Sequence, residues 1–223
     1  MKKNQDGKVR EKRRDADAAA KLDWKPGTML NPVPVVLVSC GDFSAGEANV
    51  LTVAWAGTVC SEPPMLSVSI RPERHSHAII SRTREFVVNL PTARMTPAVD
   101  FCGVRSGRDT DKFKATGLTP VAADKVRAPL VDEAPVNLEC RVTRTLHLGS
   151  HDLFLAEIVA VHVDASLLDK RGKLHLERAQ LVAYAHGDYF ALGRILGRFG
   201  YSTYPNVSVS IRGNRKKENN DVR

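Results

Sequence analysis

Three short stretches of the 223-residue chain bring together side chains able to hold an anion or a planar group. The first, Ser69-Ile70-Arg71-Pro72-Glu73-Arg74-His75-Ser76-His77, passes from a strand into a helix. Pro72 disfavours helix just upstream, and Ser76 is a suitable N-cap. Free backbone N–H groups, a hydroxyl and the Arg74 guanidinium suit a phosphate. The plainer reading of the same residues is a capped helix beside a solvated arginine. The second stretch, Asn49 to Trp55, ends in one of the two tryptophans. A planar cofactor fits against such a strand, with Asn49 and Thr52 bonding to a heteroaromatic edge; the alternative makes Trp55 a core residue with one polar tip. The third, Ser106 to Phe113, is a polar loop entering a short helical turn. There Lys112 either reaches a phosphate or ring edge, or pairs on the surface with Asp109 or Asp111. His151, at a hairpin turn, offers a hydrogen bond to a ligand or simply faces water.

Other chemistries lack their signatures. His75 and His77 flank Ser76, but no H-x-x-x-H or comparable spacing suggests a metal. Ser44, Cys60 and Cys102 have no neighbouring base in a nucleophile motif, so hydrolysis is unsupported. Cys40, Cys60, Cys102 and Cys140 lie far apart and form no C-x-x-C pair. That argues against zinc and against a secreted disulfide scaffold, and for reduced thiols. Gly193-x-x-x-Gly197-x-x-Gly200 has neither the G-x-G-x-x-G spacing nor a Walker lysine. Close helix packing or a loose C-terminal segment explains these glycines better.

The elements that must position the candidate residues are mostly strands. Val33 to Cys40 is a β-branched run followed by the turn-like Gly41 to Gly46. Val50 to Gly57 is a second run and Met65 to Ile70 a third, with Leu66, Val68 and Ile70 sharing one face. Arg74 to Arg82 reads as a short helix, Glu85 to Leu90 as a strand, and 94–104 as a helix feeding a glycine-containing loop. Val136, Leu138, Cys140 and Val142 alternate with polar residues, as in a half-buried strand. The Gly149-Ser150 turn leads into a long strand through Val163, apolar on both faces and so expected inside the sheet. Strands and helices do not alternate with βαβ spacing. The expected fold is mainly β with a few helices, an antiparallel barrel closed wholly or in part, not a doubly wound sheet.

The net charge of +8 sits mainly at the ends. Residues 1–25 carry nine Lys/Arg and five Asp/Glu, and residues 212–223 five and two, which leaves only +1 between them. Residues 1–23 therefore read as a basic, flexible extension, with a frayed helix near Ala18-Ala19-Ala20, and 205–223 as a basic tail. Organised sequence is expected from about Trp24 to Tyr204, as one domain. No recognition helix or basic stripe with interleaved aromatics suggests nucleic acid. No apolar run has membrane-spanning length, and the basic start lacks a signal-peptide core, so a cytoplasmic protein is expected.

Eight motifs in order resemble the flavin reductase-like family of FMN-binding split barrels, especially its flavoredoxin branch. They are N-P-V-P-V-V-L-V-S-C (31–40), N-V-L-T-V-A-W (49–55), C-S-E-P-P (60–64), S-V-S-I-R-P-E-R-H-S (67–76), F-V-V-N-L-P (86–91), C-G-V-R-S-G-R-D-T-D-K-F (102–113), A-P-V-N-L-E-C (134–140) and G-S-H-D-L-F (149–154). The resemblance implies a split β-barrel and a homodimer with FMN near its interface. Carried over by position, Asn49, Thr52, Ala54 and Trp55 line the isoalloxazine or ribityl chain, with Cys60 close by. Ser69 and Ile70 present backbone groups. Arg74, His75 and Ser76 hold the phosphate, Ser76 standing where many relatives have threonine. Lys112 and His151 match polar positions contacting FMN, and Tyr184 matches an aromatic near it. No catalytic side chain is implied, because the flavin carries the chemistry. Three functions follow: an NAD(P)H-dependent flavin reductase, a flavoredoxin-like carrier that keeps FMN and receives electrons from a protein, or a flavin-binding module without turnover. A redox protein or a flavin-dependent monooxygenase is the implied partner.

Overall fold

The computed structural model describes residues 21–205; the expectations for the Ala18–Ala20 helix and for nearly all of the basic tail lie outside them. Residues 21–30 are exposed and without regular structure, and Trp24 is 78% exposed. Regular structure thus begins at Val33, later than the Trp24 start expected from sequence.

The elements in chain order are β1 (Val33–Pro34), β2 (Val36–Cys40), β3 (Asn49–Val53), β4 (Ala56–Cys60), β5 (Met65–Ile70), α1 (His75–Thr83), β6 (Glu85–Leu90), α2 (Thr96–Val104) and α3 (Lys112–Thr116). There follow β7 (Pro120–Val121), β8 (Leu130–Val131), β9 (Val136–His147), β10 (Asp152–Val163), β11 (Val182–Ala185) and β12 (Asp188–Ala191). Seven strands form one antiparallel sheet in the order β3-β2-β6-β9-β10-β5-β4. Its two edges are consecutive in the chain. The run expected as one strand from Val50 to Gly57 instead bends at Ala54-Trp55. Its first half pairs with β2 and its second with β5, and the Ser69 N–H reaches the Trp55 carbonyl at 2.8 Å across the bend. One bent run therefore supplies both edge strands of the sheet and joins them, as a sheet curled toward a barrel requires.

Burial follows from the pleat. On β2, Val36, Val38 and Cys40 face a core shared with Leu51, Val68, Phe86 and Phe154, which α1 caps with Ile79 and Ile80. Val35 and Leu37 face the opposite side, where α2 and α3 supply Val99, Cys102 and Phe113. A strand sandwiched in this way must be apolar on both faces, which is why Val33 to Cys40 reads as a continuous run. Each fully buried side chain of this kind contributes about 1.5–3 kcal/mol.

β10 is interior only where β5 covers it, from Asp152 to Glu157; beyond that it pairs with β9 alone, and Val161 is 55% exposed. The expectation of a strand wholly inside the sheet holds for its first half. The glycines at 193, 197 and 200 lie in an exposed stretch containing only a short turn of 3-10 helix at Tyr201–Thr203, and no helix packs there. Among the described residues no helix is long and apolar enough to cross a membrane.

Two buried polar groups hold the sheet to its loops. Asn89 donates to the Leu37 carbonyl at 2.9 Å and the Ser39 hydroxyl at 3.0 Å, and accepts from the Val131 N–H and from Asn137. Glu139, fully buried on β9, accepts the N–H groups of Asp124, Lys125 and Val126 at 2.9, 2.6 and 2.9 Å. His162 Nε2 meets the same carboxylate at 2.6 Å. Burial works against its charge, but His162 and the three amides outweigh that and hold the carboxyl below its usual value.

Candidate functional site

Where β5 turns into α1, Pro72 ends the strand and Arg74, in extended conformation, becomes the N-cap of the helix. Ser76 does not cap, contrary to the sequence expectation. It is the second helical residue, 1% exposed, and its hydroxyl oxygen accepts from the Asn49 amide at 2.6 Å. No side chain caps the helix; in its first turn the His77 N–H donates to the Arg74 carbonyl at 3.0 Å.

Three cavities meet around this point. One of about 160 Å3 is lined by residues 51–55 of the barrel's bent run, by Ser69, Ile70 and Arg71, and by Arg74 and His151. A second, of about 410 Å3, shares Leu51, Arg71 and Arg74 with the first and adds Glu73, His75, Ser76, Arg105–Arg108 and Lys112. A third, of about 360 Å3, continues past His75, Gly107 and Lys112 to Asn49 and Asp111. The first cavity is bounded by strand backbone and neutral side chains apart from its arginines; the second is strongly cationic.

The loop between α2 and α3 lies tightly over this floor. A Cβ on Gly107 would stand 2.2 Å from Asn49 Oδ1 and 3.0 Å from a His75 ring carbon, so any side chain there must displace its neighbours. Gly107→Ala should force Asn49 away from Ser76 or lift the loop. By the usual scale of overpacking the cost is about 1–3 kcal/mol. Thermal unfolding measures it, and a melt identical to that of the parent would refute the close approach.

Lys112 makes neither of the surface ion pairs considered from sequence. It is 4% exposed, with its ammonium donating to the Cys102 carbonyl at 2.9 Å, while Asp111 caps α3 by accepting the Lys114 N–H. Burial, opposed by Cys102 and aided by Arg74, holds its pKa below that of an ordinary lysine. His151 lies at the turn as expected, its ring nitrogen 2.9 Å from the Ser150 hydroxyl. Burial and the nearby Arg71 lower its pKa against the pull of Glu73, favouring the neutral ring at pH 7.

Thr52 lines the smaller cavity, but its hydroxyl already donates to the Val99 carbonyl, tying β3 to α2. Ala54, Trp55, Ser69 and Ile70 line the same cavity. Cys60 and Tyr184 do not line any of the three. Cys60 ends β4, its thiol 3.3 Å from the Glu62 carbonyl, and Tyr184 packs edge-on against Tyr189 at 5.6 Å. The structure therefore brings together eleven of the thirteen residues expected from sequence and leaves those two apart. It also adds Arg71, Arg105, Gly107 and Arg108. The last three belong to the glycine-containing loop already visible in the sequence, but nothing in the sequence directs them toward α1.

Cys40 lies buried beside Ser76 and Asn49, and burial pushes its thiol up to about 12; Cys102 rises to about 11 for the same reason. Both remain protonated and unreactive at neutral pH. One group outside the cavities, Asp124, Glu139 and His162, has the side chains of a metal site. The four N–H contacts on Glu139 already engage both of its oxygens.

The curled seven-stranded sheet and the cleft at the bend between its edges, cationic at one end, have the architecture of a split barrel. Residues 28–193 match the flavin reductase like domain, and the chain belongs to that family. The flavoredoxin of Desulfovibrio vulgaris (Miyazaki F) superposes with a TM-score of 0.77 at 30% identity, covering 83% of this chain and 100% of that one. An uncharacterized protein of Archaeoglobus fulgidus is 36% identical over 137 residues, 61% of this chain and 76% of its own length. The NADH-dependent FMN reductase RutF of Bradyrhizobium diazoefficiens is 28% identical over 120 residues, 54% of this chain and 64% of its own.

Proposed function

We propose that the chain binds FMN across the two cavities that share Leu51, Arg71 and Arg74 at the barrel bend and acts as an NAD(P)H-dependent flavin reductase in the cytoplasm, as a homodimer. One observation carries the reading: a strand-lined slot shares Leu51, Arg71 and Arg74 with a cationic cavity at a helix start. A ligand with a flat, mostly neutral ring at one end and a phosphate at the other matches that polarity. Ala54, Trp55, Ser69 and Ile70 would border the ring or ribityl chain. Arg74, the first turn of α1 and Lys112 would hold the phosphate. Bound FMN supplies two-electron and one-electron chemistry that no side chain here can perform.

The chain's own contribution is positional and electrostatic. Arg74 and the helix N–H groups fix one end of the ligand through charge-assisted bonds. Buried Lys112, which spends one donor on Cys102, keeps its remaining donors for the cavity. His151 offers hydrogen bonding near the slot without adding charge at neutral pH. Four free cysteines, three of them buried, suit a reducing compartment.

A second reading is favoured by the full-length match to flavoredoxin: a carrier that retains FMN and takes electrons from a redox protein. A reductase instead passes reduced flavin onward, for instance to a flavin-dependent monooxygenase. Equilibrium dialysis should show saturable uptake of one FMN per chain, and the lack of any would remove both readings. NADH or NADPH oxidation strongly stimulated by free FMN supports the reductase. Tightly held FMN with no such oxidation would replace it with the carrier.

A further inference from the structure

The charge around the 410 Å3 cavity exceeds what one flavin phosphate requires. Between the basic ends, residues 26–211 carry a net charge of only +1, yet Arg71, Arg74, Arg105, Arg108 and Lys112 all line this cavity. Glu73 is its single carboxylate and pairs with Arg71 at 3.6 Å. Arg108 donates to the neutral Glu73 carbonyl at 3.0 Å, which removes no charge. Among the described residues, Arg74 and Arg105 have no ion pair and no side-chain hydrogen bond. A phosphate monoester carries at most about two negative charges at neutral pH, so it leaves uncompensated like charges gathered in one cleft. The cations also arrive in two groups, Arg71 and Arg74 from the β5–α1 connection, Arg105 and Arg108 from the α2–α3 loop. The cavity itself falls within the roughly 300–1,000 Å3 of sites that enclose whole small ligands.

We propose that Arg105 and Arg108 form a second phosphate subsite, occupied together with the flavin phosphate at Arg74 and Ser76. This rests on the FMN reading above and extends it: the ligand set carries an additional phosphate beside the first. Two sources share that chemistry, the diphosphate of FAD and the phosphates of the pyridine nucleotide that delivers electrons.

The test uses the full chain and an Arg105→Gln/Arg108→Gln double variant, with inorganic pyrophosphate, FMN, FAD, NADH and NADPH as probes. The double variant should bind pyrophosphate at least tenfold more weakly, with a clearly smaller loss for FMN. If FAD is the source, its affinity falls with that of pyrophosphate and the nucleotide KM values stay unchanged. If the nucleotide is the source, KM for NADH or NADPH rises about tenfold at constant kcat, and FAD is unaffected. Unchanged pyrophosphate affinity, or an equal loss for FMN and pyrophosphate, would overturn the subsite. Arg105→Gln alone, which breaks no hydrogen bond or ion pair among the described residues, guards against misfolding as the cause. Failure of the parent chain to take up FMN would remove the functional reading, while the pyrophosphate comparison would still report on the two arginines.

Discussion

Replacing Arg74 by alanine is expected to weaken FMN binding by roughly ten- to a hundred-fold and to leave riboflavin binding nearly unchanged. A hydrogen bond to a charged group contributes about 1.5–3 kcal/mol, and each 1.4 kcal/mol is a factor of ten. Riboflavin has the same ring and ribityl chain but no phosphate, so it reports on every other contact. Arg74 suits this comparison because, among the described residues, its side chain makes no hydrogen bond and supplies no cap to α1. Its removal should therefore leave the melt close to that of the parent. Ser76→Ala is a poorer probe: it removes the acceptor for the buried Asn49 amide and disturbs the fold as well as the site. Trp55→Ala should weaken FMN and riboflavin alike, since Trp55 borders the slot and not the cationic cavity. Equal losses for both ligands in the Arg74 variant would put the phosphate elsewhere.

Glu139→Ala is expected to destabilise the fold by about 3–5 kcal/mol, the usual cost of leaving buried charged or donor groups unpartnered. The substitution strands three backbone N–H groups of the Asp124–Val126 loop and the ring of His162 at once. Against a typical total of about 5–15 kcal/mol this is a large fraction. Glu139→Gln should lose less, because its amide oxygen still accepts from one side of the cluster. Urea unfolding of the three proteins gives the differences directly; a loss below about 1 kcal/mol for alanine would contradict the assigned role. The same carboxylate implies a pH dependence. Its folded pKa lies below the unfolded one, so its stabilisation is complete above the ordinary carboxylate range and is lost as pH falls through the folded value. Asp152, held low by contacts from His147 and then His77 at 2.8 Å each, adds a contribution of the same sign. Stability should therefore fall on acidification, and the Glu139→Gln variant should lose part of that slope.

The strand and helix pattern was legible because burial imposes a period on it. β5 alternates, β2 is apolar on both faces, and Pro72 marks where β5 must end. The bend at Ala54-Trp55 was not legible: both halves of the run are apolar enough for strand, and only pairing with two different neighbours parts them. Ser76 looked like a cap because serine often is one, but its hydroxyl is engaged by Asn49, 27 residues away in sequence. The surroundings of Lys112 depend on the Cys102 carbonyl, and a backbone acceptor leaves no trace in residue type. Arg105 and Arg108 read as loop charge for the same reason. Local chemistry shows which groups are available; the barrel decides which of them meet.

The bent run also has a consequence for how the molecule opens. Residues 51–55 are at once the floor of the slot and the joint between the two ends of the sheet. A ligand lying there touches the link between two edge strands that pair with different neighbours, β3 with β2 and β4 with β5. Unzipping the joint and releasing the ligand are then a single event, and each ligand concentration sets its cost. At a hundredfold excess over Kd, occupancy adds about 2.7 kcal/mol to that opening. Amide exchange at Ser69, whose N–H spans the joint to Trp55, should slow with ligand by about the corresponding factor of a hundred, while amides at the exposed end of β10 keep their rate.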